Sequence, residues 1–506
     1  MLSSTFASSS VFASFSTSPA TAAIASGLAA YWLFRTREIP TTQKKKPLPG
    51  PKRKAVIGNV LDFPTQRWYE AFTEWQSRYG DVIYVELLGM PMLVVESLDV
   101  AEELLSRRAN VWSARAHSVM MNELMKFDWS LPMSQPNAEF NEQRKILRRV
   151  IGPQEVTSFD YLLEEQAAGL VESLSGHSGD PHDQIIRAVG RVIIKLAYGE
   201  RVCQEHGDDL AKMNAQNSDM VVYVLTQLWF VNLFPILKHL PTWTPGALFH
   251  RVAKKGRALS EQIRFWAFGL VQENMKKGTA DSSFISRHLH EPEFATEQLR
   301  DAVAMLYSAG TDTTATAVLN LVCAMQRHPY IQEKVYKELM TLTGGAKERV
   351  VKATDCEASR YLDAVWKESF RLNPPVPLGL PHVSSEEDSL GEYTIPKGTM
   401  VHANIGFMLR DKRIWGADAD AFRPERWLEE EAVKLPDAGT LPYGFGKRIC
   451  PGRHLAQRTG KTFFAALVLN YKITVVDGEV LPEMIEYEDM AIRRPSNFRC
   501  AFKPRH

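Results

Sequence analysis

Strand-like and helical apolar patterns occupy different parts of the chain. The runs from Val82 to Leu88 and from Met92 to Val95 have the composition of paired strands, and Gly89-Met90-Pro91 marks a turn between them. From Ala101 to about Leu342 apolar residues recur mostly at helical spacing. The pattern therefore predicts a mainly α chain whose first sheet is small.

Strand-like runs return towards the C-terminus. One lies around Tyr393 to Val401, where Pro396-Lys397-Gly398 marks a turn, and others follow from Tyr471 onward. No internal repeat interrupts this order. The predicted fold class is α+β, with one large, mainly helical domain and small peripheral β-sheets.

Two stretches inside the helical part have unusual composition. Val221 to Trp243 is strongly apolar and aromatic. It is interpreted either as a buried core helix or as a substrate-access wall or membrane-dipping surface, and the sequence leaves both open. Glu273 to Ser283 is mostly polar, which predicts a solvent-exposed loop.

The N-terminus carries no charged residue from Met1 to Phe34, and its most apolar part is Ala20 to Phe34. Basic residues follow at once, starting at Arg35, which favours a single membrane anchor with that flank in the cytosol. A cleaved signal peptide lacks support because no charged n-region is present. The predicted division is an anchor at residues 1–38, a basic and proline-rich linker at 39–51, and a folded catalytic domain at 52–506.

Composition narrows the classes of function. Of the 506 residues, 45% are hydrophobic and 24% charged, as in ordinary globular proteins. The formal net charge of +1 argues against broad nucleic-acid binding. The five cysteines are scattered without a C-x-x-C pair, so neither a disulfide framework nor a zinc site is indicated.

Cys450 lies in the segment Leu441–Gln457, LPYGFGKRICPGRHLAQ, between glycines and a Pro-Gly pair. Glycine lets the backbone turn tightly and approach a flat cofactor closely. Arg448 offers a planar fork of donors that suits a carboxylate such as a haem propionate. A phosphate-binding loop and a dinucleotide fingerprint each lack required residues here. The segment favours a haem-thiolate site over a glycine-rich turn beside an ordinary buried cysteine.

A long helix is predicted from Glu297 to Arg327, and its middle, residues 309–314, reads AGTDTT. Glycine and three threonines weaken a helix, and threonine hydroxyls bond back to the backbone. We expect a local distortion that opens space beside Ala309. Asp312 and Thr313 then place an acid and a hydroxyl next to that space, as a proton relay requires. The alternative is a helix-packing glycine with solvated polar neighbours.

Two further elements lie between this helix and the cysteine loop. Glu368 and Arg371 share one face of a helix that Pro374 and Pro375 terminate. Alone, such a pair is weak evidence, since most are solvated surface pairs. It gains meaning from Pro424-Glu425-Arg426-Trp427, which supplies a second arginine shortly before the cysteine.

Taken in order, these four elements resemble the cytochrome P450 family, and the resemblance covers the chain from Pro47 onward. It implies the cytochrome P450 fold, haem b as cofactor, and Cys450 as the axial thiolate ligand of iron, for which that family is the standard example. The resemblance implies a structural triad of Glu368, Arg371 and Arg426. The implied oxygen-protonation pair is Asp312 with Thr313.

The same resemblance implies residues for cofactor and substrate. Those implied to contact haem are Arg448, His382, Arg144, Phe445, Gly446 and Gly452. Those implied to line the substrate pocket are Val119, Met120, Phe127, Ala309, Val376, Leu378 and Ile492. Most of the pocket residues are apolar, so a lipophilic small molecule is the expected substrate.

The resemblance also implies an activity and partners. The expected reaction is a monooxygenation that inserts one oxygen atom from O2 into the substrate, with electrons from an NADPH-cytochrome P450 reductase. A basic docking face is predicted from Lys145, Arg148, Arg149, Lys447 and Arg453. Residues 231–246 resemble the corresponding region of filamentous-fungal oxidases of secondary metabolism, such as polyketide, terpenoid or indole tailoring enzymes. The expected location is the endoplasmic reticulum membrane, single-pass, with the catalytic domain cytosolic.

Two positions depart from the family pattern, and two alternative functions stay open. Tyr443 stands where the family usually has phenylalanine, and Phe140 stands where tryptophan is usual four residues before Arg144. Phe140 lacks the indole N–H, so it cannot donate a hydrogen bond to a propionate. The alternatives are a haem-thiolate isomerase or dehydratase that needs no reductase, and a non-catalytic haem-binding sensor.

Overall fold

A computed structural model describes residues 48–244, 246–345, 351–488 and 491–505. Within these ranges no helix combines the length and the apolar character needed to cross a bilayer. The predicted anchor at residues 1–38, and the linker up to residue 47, lie outside the described residues. Leu48–His506 forms one compact unit by itself.

The described chain is mostly helical, as predicted. The α-helices are α1 Trp68–Tyr79, α2 Leu98–Ala101, α3 Ala138–Ile151, α4 Asp160–Ser173, α5 His182–Tyr198, α6 Glu200–Thr226, α7 Phe230–Leu233, α8 Leu248–Lys276, α9 Phe284–His288, α10 Thr296–Arg327, α11 Pro329–Leu342, α12 Ala353–Ala358, α13 Arg360–Leu372, α14 Ile405–Met408, α15 Lys412–Trp415 and α16 Arg453–Asn470. Short π-helical segments are Glu102–Arg107 and Val119–Leu124, and 3-10 segments are Val156–Phe159, Pro235–His239, Pro424–Trp427, Glu430–Lys434, Leu441–Tyr443 and Gly446–Arg448.

Three small sheets lie among these helices. The strands are β1 Val82–Leu87, β2 Met90–Val95, β3 Ser178–Gly179, β4 His382–Val383, β5 Asp388–Leu390, β6 Tyr393–Ile395, β7 Met400–Ala403, β8 Tyr471–Thr474 and β9 Cys500–Pro504. The sheet orders are β1-β2-β7-β4, β3-β9-β8 and β5-β6. Strands β2 and β7 are parallel, and every other pairing is antiparallel.

The predicted strand pair is confirmed, with its turn placed one residue earlier than expected. Met90 and Pro91 already pair with Leu87 and Glu86, so the turn consists of Leu88 and Gly89, both with positive φ. Strands β6 and β7 flank the predicted turn at residues 396–398, but they do not pair with each other. Strand β6 pairs with β5, and β7 joins β2 and β4. The turn therefore passes the chain from one sheet to another.

The apolar stretch at residues 221–243 divides between the two interpretations. Its first residues belong to α6, with Val222 and Val224 buried, and the chain then breaks into short helical pieces. In those pieces Phe230 is 54%, Ile236 64% and Trp243 81% exposed. A single buried core helix is therefore wrong for this part. The prediction of a solvent-exposed loop from Glu273 to Ser283 is wrong for residues 273–276, which belong to α8. The loop begins after that helix.

Helix α10 is the centre of the main core. Most of its 32 residues are buried, and they occur on nearly every side of the helix. Alanines and other short side chains allow neighbouring helices to approach from several sides. It packs against α3, α5 and α16. The residues 309–314 are thereby placed deep in the molecule, and the predicted distortion is not seen, since α10 is continuous from Thr296 to Arg327.

Candidate active site

One cavity brings together segments that are far apart in sequence. It lies between α10, α5, α3, the end of α13 and the cysteine loop. The sequence-predicted site residues in its wall are Cys450, Arg448, His382, Arg144, Phe445, Gly452, Thr313, Ala309 and Val376. Most of the remaining wall is apolar, so the cavity suits a large, flat, lipophilic group with a few polar attachments.

The cysteine loop is folded by its glycines. Gly446 adopts a φ of +51°, and a Cβ built on it would lie 2.2 Å from the carbonyl oxygen of Leu105. Only glycine fits both conditions. The backbone N–H of Cys450 then donates to the carbonyl of Tyr443 at 2.9 Å, which closes the loop. Gly446 itself does not line the cavity, and its structural role is this close approach to Leu105.

The sulfur of Cys450 sits at the beginning of α16. The backbone N–H groups of Gly452 and Arg453 donate hydrogen bonds to it, while burial of the thiol raises its pKa. The two N–H groups and the positive charges of Arg144 and Arg453 act in the opposite direction by stabilising the anion. A metal ion bound to this sulfur would deprotonate it outright. The surroundings therefore suit a thiolate ligand.

Three arginines line the same cavity without any carboxylate partner among the described residues. Arg448 donates to the carbonyls of Ser113 and Ser134, both at 2.7 Å, and Arg144 donates to a carbonyl at 2.9 Å. Arg115 was not predicted from the sequence, and it donates only to backbone carbonyls as well. Burial, and then the charge of Arg448, lower the pKa of Arg115 to about 9. It stays charged at neutral pH.

Phe140 and His382 border this group of cations. The guanidinium carbon of Arg448 lies 4.2 Å from the ring centroid of Phe140, and that of Arg144 lies 5.7 Å from it. Phe140 thus contacts both cations through its ring face. Burial lowers the pKa of His382 to about 3, and its neutral ring donates from Nδ1 to the carbonyl of Trp112 at 2.6 Å.

These residues fit a haem group. Cations removed from water are normally paired, so three guanidiniums that meet only carbonyls and the ring of Phe140 in a mostly apolar cavity indicate that an anion completes the site. The two propionates of a haem would supply this negative charge. Cys450, in the same cavity, would supply a sulfur ligand for the haem iron. The residues that would hold haem are Cys450, Arg448, Arg144, Arg115, His382, Phe445 and Gly452.

Helix α10 forms another wall. Thr313 lines the cavity, and its hydroxyl donates to the carbonyl of Ala309 at 2.9 Å, which is the back-bonding expected from the sequence. Gly310 leaves room for Ile193, since a Cβ there would lie 2.9 Å from the terminal methyl of that side chain. Ala309 itself lines the cavity, so the expected space beside it exists although the helix is unbroken.

Asp312 does not line the cavity, unlike its neighbour Thr313. Its carboxyl accepts a hydrogen bond from Ser218 of α6. Burial raises the pKa of Asp312, whereas Ser218 and the charges of His182 and Arg494 lower it. The acid is thus adjacent to the cavity along the helix, but it faces α6.

Glu368, Arg371 and Arg426 come together away from the cavity. Both oxygens of Glu368 accept from Arg371, at 2.9 and 3.0 Å, and Oε1 also accepts from Arg426 at 3.0 Å. Trp427, which the sequence did not assign, donates to Glu368 at 3.0 Å. Arg371 also donates hydrogen bonds to the carbonyls of Leu409, Ala419 and Ala421. The network is buried and complete.

Several residues expected in the substrate pocket do not line this cavity. They are Val119, Met120, Phe127, Leu378 and Ile492. Val119 and Met120 belong to a π-helical segment inside the main core, and Leu378 packs against a separate cluster that contains Phe72. The cavity is closed instead by α5, through Val189, Val192 and Ile193. No motif marks these three, because only the packing of α5 on α10 brings them there.

The five predicted docking residues are not equivalent, and one of them, Arg453, donates to the carbonyl of Cys450 at 3.4 Å. Lys145 and Arg149 form ion pairs with Glu293, and Arg149 also lies 3.8 Å from Glu291. Lys447 donates to the amide oxygen of Asn110. Arg148 is exposed at the end of α3, and no ion pair of it is found among the described residues.

Comparison with known proteins gives consistent matches. A family model described as Cytochrome P450 matches residues 48–502. Cytochrome P450 monooxygenase ple1 of Rhodocybe pseudopiperita is 31% identical over 501 residues, covering 94% of this chain and 92% of that protein. Cytochrome P450 monooxygenase 208 of Postia placenta is 31% identical over 464 residues, with 90% of each chain covered. Cytochrome P450 monooxygenase COX1 of Coprinopsis cinerea is 30% identical over 482 residues, covering 90% of this chain and 91% of that protein.

Proposed function

The chain belongs to the cytochrome P450 family of haem-thiolate monooxygenases, and we propose that Cys450 is its iron ligand. We also propose that the protein oxidises a lipophilic secondary metabolite. The observation that supports this most is the shared cavity. The Cys450 sulfur, with its two backbone N–H donors, and three guanidiniums without carboxylate partners line the same apolar space. Haem bound through a cysteine thiolate supplies an iron centre whose electron-rich sulfur favours cleavage of the O–O bond.

The protein's own groups divide the remaining work. The N–H groups of Gly452 and Arg453 stabilise negative charge on the sulfur. Arg115, Arg144 and Arg448 orient the cofactor through its carboxylates. The Thr313 hydroxyl donates a hydrogen bond to the carbonyl of Ala309, which leaves its oxygen lone pairs free to hold a water molecule at the cavity wall. Asp312 is the proposed acid that resupplies that water with protons, and it must turn from Ser218 towards the cavity to do so.

The substrate is proposed to be a neutral lipophilic molecule. The walls contributed by α5 and α10 present Val192, Ile193, Met305, Leu306 and Ala309, so hydrophobic burial supplies most of the binding free energy. The likeness of residues 231–246 to filamentous-fungal oxidases of secondary metabolism supports such a role, with a polyketide, a terpenoid or an indole as substrate.

The function is tested with purified protein, an NADPH-cytochrome P450 reductase and a panel of such metabolites. Ligands are first selected by the change in iron spin state and then incubated with NADPH. We expect a product that contains one added oxygen atom and depends on NADPH and O2. A product formed without NADPH would instead indicate an isomerase or dehydratase, and a spectral response without any product would indicate a sensor.

Electrons are proposed to arrive at a face formed by Arg148 and Lys447. Lys145 and Arg149 are already neutralised by Glu293, so they contribute less. We expect Arg148→Glu to raise the reductase concentration needed for half-maximal haem reduction about tenfold, measured under carbon monoxide without substrate. Lys145→Glu is the matched control with a smaller effect. Equal curves for Arg148→Glu and the wild type would exclude this face.

The proposed location is the endoplasmic reticulum membrane, with the anchor at residues 1–38, the linker at 39–51 and the domain from 52 onward in the cytosol. Support comes from the uncharged apolar N-terminal run and the basic residues after it. The exposed Phe230, Ile236 and Trp243 offer a second apolar contact. Vesicle flotation tests this, since removal of residues 1–38 should abolish most binding. Serine at the three exposed positions should weaken the binding that is left.

A further inference from the structure

A short stretch of the cavity wall is held from behind by a segment near the C-terminus. Residues 373–377, here called the wall segment, follow α13, and two of them, Pro375 and Val376, line the cavity. The backbone N–H of Arg493 donates to the carbonyl of Pro375 at 2.7 Å. The sequence predicted Ile492 in the pocket, but the contact with the wall is made by the residue after it.

Arg493 lies next to two antiparallel segments. Tyr487 pairs with Pro495, and the backbone N–H of Glu488 donates to the carbonyl of Arg494 at 2.9 Å. This pairing brings the ring of Tyr487 close to the Arg493 side chain. The backbone that reaches the wall and the ring that contacts its side chain therefore belong to one local structure.

The Arg493 side chain is held mainly by aromatic rings. Its guanidinium carbon lies 4.0 Å from the ring centroid of Tyr487 and 5.0 Å from that of Tyr69 in α1. Its ion pair with Glu70 is longer than a hydrogen bond, at 3.7 Å between Nη2 and Oε1. Only 15% of the side chain is exposed, so water weakens the ring contacts little. Arg493 thereby joins α1 to the segment of Tyr487.

Both rings lead back to the wall segment. Tyr69 packs on Gly406, where a Cβ would lie 2.5 Å from the Tyr69 ring and 2.9 Å from the Cβ of Pro377. The backbone N–H of Gly406 donates to the carbonyl of Pro377 at 2.9 Å. At the other end of the wall segment, the hydroxyl of Tyr487 donates to Oδ1 of Asn373 at 2.7 Å. Contacts through Arg493 thus connect the first, the middle and the last residue of the wall segment.

We propose that Arg493 is a positioning residue that fixes the wall segment, so that Val376 presents a rigid face to a bulky group bound in the cavity. The inference rests on the proposed function, because it takes this cavity as the place of haem and substrate. A wall that is fixed before binding loses little conformational entropy when a ligand packs on it. Arg493 therefore raises the affinity for large ligands, whereas ligands too small to reach Val376 do not depend on it.

The test uses the holoenzyme and two nitrogen ligands of haem iron, imidazole and 4-phenylimidazole, whose binding shifts the Soret band. Arg493→Lys keeps the charge but loses the planar group that lies over the two rings. We expect the Kd of 4-phenylimidazole to rise about fivefold, which corresponds to about 1 kcal/mol at 1.4 kcal/mol per tenfold. The Kd of imidazole should not change. An unchanged or lower Kd for 4-phenylimidazole, or an equal rise for both ligands, overturns the inference.

Two variants of Tyr487 separate its ring from its hydroxyl. Tyr487→Leu should reproduce the effect of Arg493→Lys, whereas Tyr487→Phe keeps the ring face and should stay within about twofold of the wild type. Arg499→Lys is the matched control, because Arg499 is exposed and pairs with Glu479. It should bind both ligands as the wild type does. Lower thermal stability of Arg493→Lys with an unchanged ratio of the two Kd values would mean that Arg493 only supports the fold.

Hydrogen exchange gives a second measurement that needs no iron ligand. The backbone amides of residues 376–380 should exchange about tenfold faster in Arg493→Lys than in the wild type, because local opening of the wall becomes easier. Equal exchange in both proteins overturns the inference. Failure of the proposed function is separable, because the wild type itself would then show no Soret shift with imidazole.

Discussion

Two groups of arginines, one fully buried and the other buried or half-buried at the cavity, differ in how their charge is compensated. Arg371 and Arg426 surround Glu368, and every carboxylate oxygen there accepts more than one hydrogen bond. Arg115, Arg144 and Arg448 occupy the cavity wall and meet only carbonyls and the ring of Phe140. The first group is complete within the chain, whereas the second is complete only with an anion from outside it.

The difference separates stability from function. A buried ion pair whose partners are all present fixes neighbouring segments, and here it joins α13 to the Pro424–Trp427 turn. Buried cations without counter-ions are unfavourable in the absence of a ligand, and they become favourable contacts when carboxylates bind. We therefore expect loss of charge to unfold the protein at the first group and to release the cofactor at the second.

The largest effect is expected for Glu368→Gln. The substitution keeps the shape but leaves Arg371 without a counter-charge and Arg426 with only Asp418, 3.4 Å away, which costs about 3–5 kcal/mol of the free energy of unfolding. Thermal unfolding and the yield of folded holoprotein measure it. Glu425→Gln, a half-exposed carboxylate of the same turn that pairs with Lys334, is the control and should change little. Unfolding of Glu368→Gln at the wild-type temperature would contradict the comparison.

At the cavity, Arg448→Leu should mainly affect cofactor retention. Removing one charge-assisted bond to a carboxylate weakens haem binding by about 1.5–3 kcal/mol, or roughly 10- to 100-fold. The rate of haem transfer to an excess of a scavenging apoglobin measures this loss. Arg149→Leu, an exposed arginine paired with Glu293, should lose haem at the wild-type rate. If both variants behaved alike, the cavity cations would have no special role.

Glu96 sharpens the comparison, because it is a buried carboxyl without an arginine. Asn404 donates to its Oε1 at 3.1 Å, its Oε2 has no partner among the described residues, and burial raises its pKa to about 9. The folded state thus holds a proton that the unfolded state has lost above about pH 4.5. Stability from this group is full below that pH and declines as pH rises towards 9.

Replacement of Glu96 by glutamine removes this decline. We expect Glu96→Gln to be more stable than the wild type by at least about 1 kcal/mol at pH 7, and the difference should vanish near pH 4. Chemical denaturation at several pH values measures it. A difference that is constant with pH would mean that Glu96 does not hold the proton.

The smallest expected effect is that of Phe140→Leu. The ring lies 4.2 Å from the guanidinium of Arg448 but 5.7 Å from that of Arg144, so the effect comes mainly from the first contact, and one such cation–π contact is worth about 0.5–1 kcal/mol. Haem transfer should therefore accelerate only about two- to fivefold, less than for Arg448→Leu. An effect larger than that of Arg448→Leu would show that Phe140 acts through packing rather than through the cations.

Prediction from the sequence succeeded for elements whose structure is determined by the residues within one segment. The first strand pair, the long helix α10 and the mainly helical class were all readable from local patterns. It failed where the site is made by packing. Arg115 has no motif, Val192 reaches the cavity only because α5 crosses α10, and Leu378 turns into a different cluster. Side-chain direction in a loop depends on tertiary contacts that spacing does not encode.

The account depends most on Cys450 as the thiolate ligand. Cys450→Ser, compared with the wild type as the ferrous carbon-monoxide complex, tests this directly. We predict that the wild type shows the thiolate-type Soret shift and that Cys450→Ser lacks it while its far-ultraviolet circular dichroism is unchanged. Survival of the shift in Cys450→Ser would contradict the account.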